Sequence, residues 1–170
     1  MAGIYIHIPF CKQACYYCNF HFSTSLRLKD EMIHCLKKEL LLHTDIHNAE
    51  ICGMILENSE VIESLYFGGG TPSILPASDI SELITSVRNS YTLRGDAEIT
   101  LEANPDDITP KKLREWKDSG INRLSVGIQS FKDGNLKWMN RAHNAQQAFD
   151  CINWIEKAGF SNYSVDLIFG

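Results

Sequence analysis

The 170-residue sequence contains no long hydrophobic run. The apolar segment at residues 3–8 is too short to cross a membrane, and no basic residue precedes it as in a secretory signal. Lys and Arg number 16 against 21 Asp and Glu, which disfavours broad binding to nucleic acid. These absences predict a cytoplasmic protein with no integral membrane segment and no nucleic-acid partner.

A secreted disulfide framework is also missing. Cys11, Cys15 and Cys18 lie within eight residues, and the other three cysteines are scattered along the chain at Cys35, Cys52 and Cys151. This pattern does not resemble the disulfide framework of a small secreted domain, and clustered thiols in a reducing compartment favour metal binding. The cysteine pattern therefore predicts a metal site near the N-terminus.

The sequence does contain five apolar runs rich in β-branched and aromatic residues. They predict strands at 3–8, 61–67, 97–101, 123–128 and 162–169. Segments of helical period separate them, and the clearest carries an apolar stripe at Ile80, Leu83, Ile84, Val87 and Tyr91. Repeated strand, loop and helix units predict parallel strands joined by right-handed crossovers, in either an open sheet or a barrel.

An internal repeat supports this organisation. Residues 119–128 and 158–167 match with a spacing of 39 residues, about one strand–helix unit. In this register Gly127 is equivalent to Asp166. Because strands alternate with period two, Gln129 lies on the same face as Gly127, so Gln129 and Asp166 should point to a common side. An open sheet covered by helices would give the same repeat.

We predict an α/β fold, a partial (β/α)6 barrel of parallel strands with outer helices and with its site at the C-terminal strand ends. The last apolar run meets the end of the sequence at Gly170. Because an uncovered strand edge is unfavourable, we expect residues 1–170 to be the N-terminal part of a barrel truncated after about the fifth strand. The remaining barrel and a C-terminal domain are then absent from this chain.

The segment from Cys11 to Cys18 has the spacing C-x3-C-x2-C directly after the first predicted strand. Thiolates are the preferred ligands of iron–sulfur clusters, and three of them on a four-iron cluster leave one iron open to a substrate. Two other interpretations remain open. A structural zinc ion could be completed by His7 or His21, or the thiols could bind no metal.

Six short motifs together closely resemble the radical-SAM family of oxygen-independent coproporphyrinogen oxidases and their relatives. They occur in order along essentially the whole chain: YIHIPFC at 5–11 with the cysteine loop, GGGTP at 68–72, EANP at 102–105, GIQSF at 127–131, NRAH at 140–143 and DLIFG at 166–170. The resemblance implies a radical-SAM barrel in which a [4Fe-4S] cluster cleaves S-adenosylmethionine to a 5′-deoxyadenosyl radical. The protein's part is to position the cofactor and shield it from water.

The resemblance also implies which residues form the site. The cluster ligands are Cys11, Cys15 and Cys18, and the implied cofactor contacts are Tyr5, Tyr17, Gly69, Gly70, Thr71, Glu102, Gln129, Arg141 and Asp166. The glycines let the backbone approach a ligand and offer amide donors to a carboxylate. Glu102 could accept hydrogen bonds from an amine or a ribose hydroxyl, and Arg141 could donate a forked pair to a carboxylate. Taken singly, these residues would be read as a tight turn and solvated polar groups.

One departure from the pattern narrows the function. Members of the family that decarboxylate coproporphyrinogen carry a further cysteine two residues after the third, where this sequence has Phe20. The phenylalanine form resembles the heme-chaperone branch, whose heme-binding segment lies beyond residue 170. The implied partners are heme or porphyrin, an electron donor and a heme-acceptor protein. A coproporphyrinogen III oxidase and a zinc-stabilised binding module remain as alternatives.

Overall fold

The computed structural model describes residues 2–48 and 61–169, with the side chains at 43–48 excepted, so that Cys52 lies outside the described residues. Within these ranges the strands are β1 (Ala2–Ile8), β2 (Ile62–Gly69), β3 (Leu93–Ala103), β4 (Arg123–Gln129) and β5 (Tyr163–Leu167). The helices are α1 (Lys29–Asn48), α2 (Ala77–Ser90), α3 (Pro110–Asp118), α4 (Asp133–Trp138) and α5 (Ala145–Lys157). Short 3-10 turns occupy Pro72–Ile74 and Pro105–Asp107.

The strands form one parallel sheet in the order β1-β2-β3-β4-β5. Because the spatial order of the strands is the same as their order in the sequence, each crossover adds the next strand on the same side, as in the wall of a barrel. A doubly wound open sheet instead reverses at a switch point. The predicted α/β class and all five strands are therefore confirmed, and the arrangement is consistent with a partial barrel. β3 begins at Leu93, four residues before the predicted start, because exposed polar residues extend it.

The sequence repeat matches the pairing register of the last two strands. Leu124 pairs with Tyr163 and Val126 with Val165, so that each partner lies 39 residues further along the chain. Beyond Val126 the register shifts, and Gln129 pairs with Leu167. The repeat therefore describes how β4 and β5 align up to the point where the sheet approaches its C-terminal edge.

The outer face of the sheet is apolar and packs against the helices. Leu65 and Phe67 of β2, Leu101 of β3 and Leu124 of β4 are fully buried. The predicted stripe of α2 covers part of this face with Ile80, Leu83, Ile84 and Val87, while Tyr91 lies just beyond the helix end. This core holds the strand ends in place.

The inner face of the same sheet is polar. The Tyr66 hydroxyl donates to Glu102 Oε1 at 2.8 Å, and the Arg123 guanidinium donates to Ser164 Oγ at 3.3 Å. Ser164 in turn lies 3.4 Å from Ser125 Oγ. These polar side chains alternate along each strand with the buried apolar ones, so the apolar side chains lie on the face that packs against the helices and the polar side chains form hydrogen bonds on the other face.

The helix boundaries follow the turn residues of the sequence. Thr109 Oγ1 accepts from the Lys112 amide at the start of α3, which opens on Pro110. Gly120 and Gly159 follow α3 and α5 with positive φ angles of 102° and 76°, which are typical of the residue after a helix end. No helix in the described ranges is long and apolar enough to cross a membrane.

Candidate functional site

A cavity of about 300 Å³ opens at the C-terminal ends of the strands. Eleven residues predicted from the sequence line it: Cys11, Cys15, Tyr17, Cys18, Gly69, Gly70, Thr71, Glu102, Gln129, Arg141 and Asp166. Gln129 and Asp166 thus point to a common side, as the repeat predicted. The fold brings together residues from motifs that lie up to 155 positions apart, as Cys11 and Asp166 do.

Tyr5 is the predicted contact that does not line this cavity. Its ring stacks on that of Tyr66, with centroids 5.8 Å apart, and its hydroxyl lies 3.4 Å from His7 Nδ1. The side chain is 56% exposed. Tyr5 therefore belongs to the inner face of the sheet beside the cavity.

The cysteine loop runs along the edge of the cavity and is tied to the rest of the fold through its backbone. The Cys11 amide donates to the Ser23 carbonyl at 3.0 Å, and the Tyr16 amide donates to the Met139 carbonyl at 3.1 Å. Cys11, Cys15 and Cys18 are partly exposed free thiols. The loop thus presents three thiols to one space.

Two neighbouring side chains donate to the sulfurs. Thr71 Oγ1 lies 3.5 Å from Cys11 Sγ, and Arg141 Nη1 lies 3.4 Å from Cys15 Sγ. Burial raises the pKa of the Cys11 thiol, and the Thr71 hydrogen bond opposes that rise. Donors aimed at sulfur stabilise the thiolate form, which is the form that binds metal.

Among the residues that the structure describes, no group of three or more His, Cys, Asp or Glu side chains is arranged to hold a single metal ion. A four-iron cluster is wider than a single ion, so its thiolate ligands need not converge on one point. The residues that fit such a cluster are the three cysteines, because thiolate is its preferred ligand.

The glycine-rich turn after β2 brings the backbone close to the cysteine loop. Gly69 adopts a φ of 111°, and a Cβ at Gly70 would lie 2.7 Å from the Phe10 oxygen. The amides of the turn already donate to protein oxygens: Gly69 to Glu102, Gly70 to Ile8 and Thr71 to Phe10. The amides of Gly69 and Gly70 thus already have protein acceptors in this structure, and donation by this turn to a ligand carboxylate stays a prediction. The glycines serve close approach of two backbones.

Glu102 lies at the end of β3 on the cavity wall. Its Oε1 accepts from the Tyr66 hydroxyl at 2.8 Å and its Oε2 from the Gly69 amide at 3.1 Å. Burial raises the pKa of the Glu102 carboxyl despite these two hydrogen bonds, and Asp166 adds to the rise. Burial and the bond to Glu102 raise the pKa of Tyr66 to about 12. Each Glu102 oxygen keeps a further lone pair for a donor in the cavity.

Arg141 lies between the cysteine loop and the strand ends. Its Nη2 donates to Asn104 Oδ1 at 2.7 Å and to the Gly127 carbonyl at 2.6 Å. Nη1 reaches Cys15 Sγ and the Tyr17 hydroxyl at 3.4 and 3.3 Å, and Nε is buried without a partner. The short bonds fix the guanidinium plane, while the longer contacts of Nη1 leave that nitrogen available to an anion.

The end of β4 has an uncommon backbone conformation. Gln129 has a φ of 64°, a region that non-glycine residues enter at a cost of about 1 kcal/mol or more. The preceding Ile128 carbonyl accepts from the Ser130 amide at 2.8 Å and lies 3.0 Å from Nε2 of buried His143. These contacts hold the strand end in the conformation that turns Gln129 into the cavity.

Sequence reasoning missed several residues of the cavity wall, among them Asn104, Ser125 and Gly127. Asn104 lies inside the EANP motif, two residues after Glu102. Ser125 and Gly127 share the alternation of Gln129 along β4, so period two could have found both. Tyr66 supports the wall through its hydrogen bond to Glu102. No sequence pattern could have predicted this bond, because it joins residues of two different strands.

Comparison with known proteins matches residues 5–170 to the Radical SAM superfamily. Heme chaperone HemW of Lactococcus lactis is 34% identical over 165 residues, which cover 97% of this chain and 40% of the relative. Heme chaperone HemW of Escherichia coli is 35% identical over 168 residues, covering 99% of this chain and 42% of the relative. The chain thus spans about two fifths of the length of these relatives.

Among solved structures, coproporphyrinogen III oxidase (HemN) from Escherichia coli, described as a radical SAM enzyme, superposes with a TM-score of 0.84 at 29% identity. The match covers 99% of this chain and 37% of that one. The similarity thus extends over the five described strands of the sheet.

Proposed function

The chain belongs to the Radical SAM superfamily, and on that basis we propose that Cys11, Cys15 and Cys18 hold a [4Fe-4S] cluster and that the adjoining cavity binds S-adenosylmethionine. The observation that carries this proposal is the presence of three free thiols on one loop at the edge of a cavity whose lining includes Glu102, Arg141 and Asp166. When bound, the cluster supplies the electron that cleaves a carbon–sulfur bond of the cofactor. Three protein ligands leave the fourth iron open to a substrate.

The cavity residues fit a cofactor that carries an amine, a carboxylate and hydroxyl groups. Glu102 and Asp166 offer carboxylate acceptors to an amine or a hydroxyl, and Gln129 offers an amide. Arg141 provides the cationic donor for a carboxylate. Gly127 lacks a side chain at a position where a Cβ would lie 3.0 Å from Gln129 Nε2, which keeps the space open. We propose that these side chains bind and orient the cofactor.

We further propose that the whole protein is a heme chaperone that delivers heme to respiratory proteins, with an electron donor and a heme acceptor as partners. Two observations support this: relatives named heme chaperones at about one-third identity, and Phe20 on the cavity wall where the oxidase pattern has a cysteine. Residues 1–170 then form the N-terminal part of the barrel, and the heme site lies in other parts of the protein.

Oxygen-independent coproporphyrinogen III oxidase is the second candidate, because the structure resembles that of coproporphyrinogen III oxidase (HemN). The test uses the full-length protein with its cluster reconstituted anaerobically. Heme is titrated by absorbance, and coproporphyrinogen III decarboxylation is measured with S-adenosylmethionine and a reductant. Stoichiometric heme binding without porphyrinogen turnover supports the chaperone. Turnover that disappears in Cys15→Ala would establish the oxidase and contradict our first choice.

A further inference from the structure

A lysine within the cysteine loop forms two ion pairs with a neighbouring turn. Lys12 lies between Cys11 and Cys15, and its Nζ is 2.7 Å from Asp106 Oδ2 and 2.5 Å from Asp107 Oδ1. Both aspartates lie in the 3-10 turn Pro105–Asp107, which follows β3. A side chain of the loop is thus joined to the wall of the barrel across more than 90 residues of sequence.

Asp107 connects three segments of the fold. Its side chain is only 2% exposed, and besides Lys12 it accepts from Ser73 Oγ at 2.7 Å and lies 3.9 Å from Lys112 Nζ. Lys112 Nζ also donates to the Ser73 carbonyl at 2.7 Å. A buried carboxylate with these partners holds the turn after β2, the first turn of α3 and the cysteine loop in one arrangement.

The same network continues to a cysteine sulfur. Ser73 Oγ accepts from the Asn104 amide at 3.2 Å, and Asn104 Nδ2 donates to Thr71 Oγ1 at 3.2 Å. Thr71 Oγ1 then contacts Cys11 Sγ. Asp107 therefore supports the loop both through Lys12 and through the residues that contact the first thiol.

We infer that Lys12 and Asp107 are positioning residues that hold the cysteine loop in the geometry needed to retain an iron–sulfur cluster. The inference rests on the proposed function, because it takes the three cysteines as the cluster ligands. Removing Lys12 takes away one of the positive charges that balance the buried carboxylate of Asp107, and removing the Asp107 charge takes away an ion-pair partner of Lys12. The loop then loses a fixed point adjacent to Cys11 and releases the cluster faster.

The experiment measures the rate at which an iron chelator removes the cluster from anaerobically reconstituted full-length protein. We expect Asp107→Asn and Lys12→Met to lose the cluster about tenfold faster, as is typical when support of a metal ligand is removed. Lys12→Arg retains the charge and should release at nearly the wild-type rate. The electron paramagnetic resonance spectrum of the reduced cluster, with and without S-adenosylmethionine, provides a second readout that loss of global stability does not alter.

A second ion pair, away from the cysteine loop, provides the control. Lys29 Nζ and Asp79 Oδ2 lie 2.7 Å apart and join α1 to α2, and each side chain is 20% exposed. Asp79→Asn should leave the release rate unchanged, and thermal unfolding of each cluster-free variant reports its global stability.

Three results would overturn the inference. One is a wild-type release rate in folded Lys12→Met, whose more exposed side chain makes misfolding a smaller concern. Another is equal acceleration by Asp79→Asn, which would indicate a general effect of stability. The third is a wild-type protein that takes up no iron, which defeats the proposed function itself and is thereby distinguished from the other two.

Discussion

The two faces of the parallel sheet differ in almost every respect although the same five strands form both. On β3 the outer residues Ile99 and Leu101 are 3% and 0% exposed and pack under the helices. The inner residues Glu98 and Glu102 instead form hydrogen bonds and ion pairs. The comparison indicates that stability resides mainly on the outer face and chemistry on the inner face, and substitutions should separate the two.

The largest expected effect is on the outer side. Trp116 of α3 is fully buried in the core, so Trp116→Ala should lower the free energy of unfolding by about 3–5 kcal/mol. Chemical denaturation of the cluster-free protein measures it, with Arg114→Ala on the exposed side of the same helix as control. Iron content per folded molecule should stay unchanged. A loss below about 1 kcal/mol would refute this division of the sheet.

The next effect concerns a polar residue that is buried with the core. Burial and the nearby charge of Arg141 lower the pKa of His143 to about 4, against 6.5 for a free histidine, although Asp106 and the Ile128 carbonyl favour its charged form. The unfolded chain therefore binds more protons between these values, so stability should fall as pH drops from 6.5 to 4, by up to about 3 kcal/mol.

Unfolding curves across this pH range test the prediction. His143→Gln should flatten the dependence while its amide can still donate to the Ile128 carbonyl, and His21→Gln, at an exposed position, should not. An identical slope in His143→Gln and the wild type would show that other groups cause the loss.

The smallest effect on stability is expected on the inner face. Burial raises the pKa of Glu102, which means that the folded protein disfavours the charged carboxylate. The contribution of Glu102 to the free energy of unfolding therefore declines as the pH rises and the carboxyl loses its proton. Glu102→Gln should therefore leave the free energy of unfolding within about 1 kcal/mol of the wild type at neutral pH. It should weaken S-adenosylmethionine binding about tenfold or more, since a hydrogen bond to a charged group contributes about 1.5–3 kcal/mol.

Calorimetric titration of the reconstituted protein measures that affinity. Glu98→Gln is the matched control, because Glu98 lies on the same face of β3 but outside the cavity lining. Equal affinity in Glu102→Gln and Glu98→Gln would place the cofactor away from the end of β3.

Much of the fold could be predicted because its signals are local. Apolar runs located the five strands of the described residues, and the apolar stripe from Ile80 to Val87 located α2. The 39-residue repeat predicted that Gln129 and Asp166 point to a common side, and its spacing agrees with the register of β4 against β5 up to Val126. The start of β3 could not be found, since its first residues are exposed and lack an apolar pattern.

Site residues could be predicted where they belong to one short sequence motif. Contacts between residues that are far apart in the sequence could not be predicted. Cys11, Cys15 and Cys18 share one loop, and their spacing indicated metal directly. The bond from Tyr66 to Glu102 and the pairing of Lys12 with Asp107 depend on strand register and turn geometry. The positive φ of Gln129 also escaped prediction, because no local preference of glutamine favours it.

The central claim is that three thiolates of one loop hold a four-iron cluster. Metal and sulfide analysis after anaerobic reconstitution tests it most directly, with Cys11→Ala, Cys15→Ala and Cys18→Ala beside Cys35→Ala, an exposed cysteine outside the loop. We predict about four irons per chain in the wild type and in Cys35→Ala, and loss of most iron in each of the three loop variants. One zinc per chain in the wild type, or unchanged iron in the loop variants, would contradict the account.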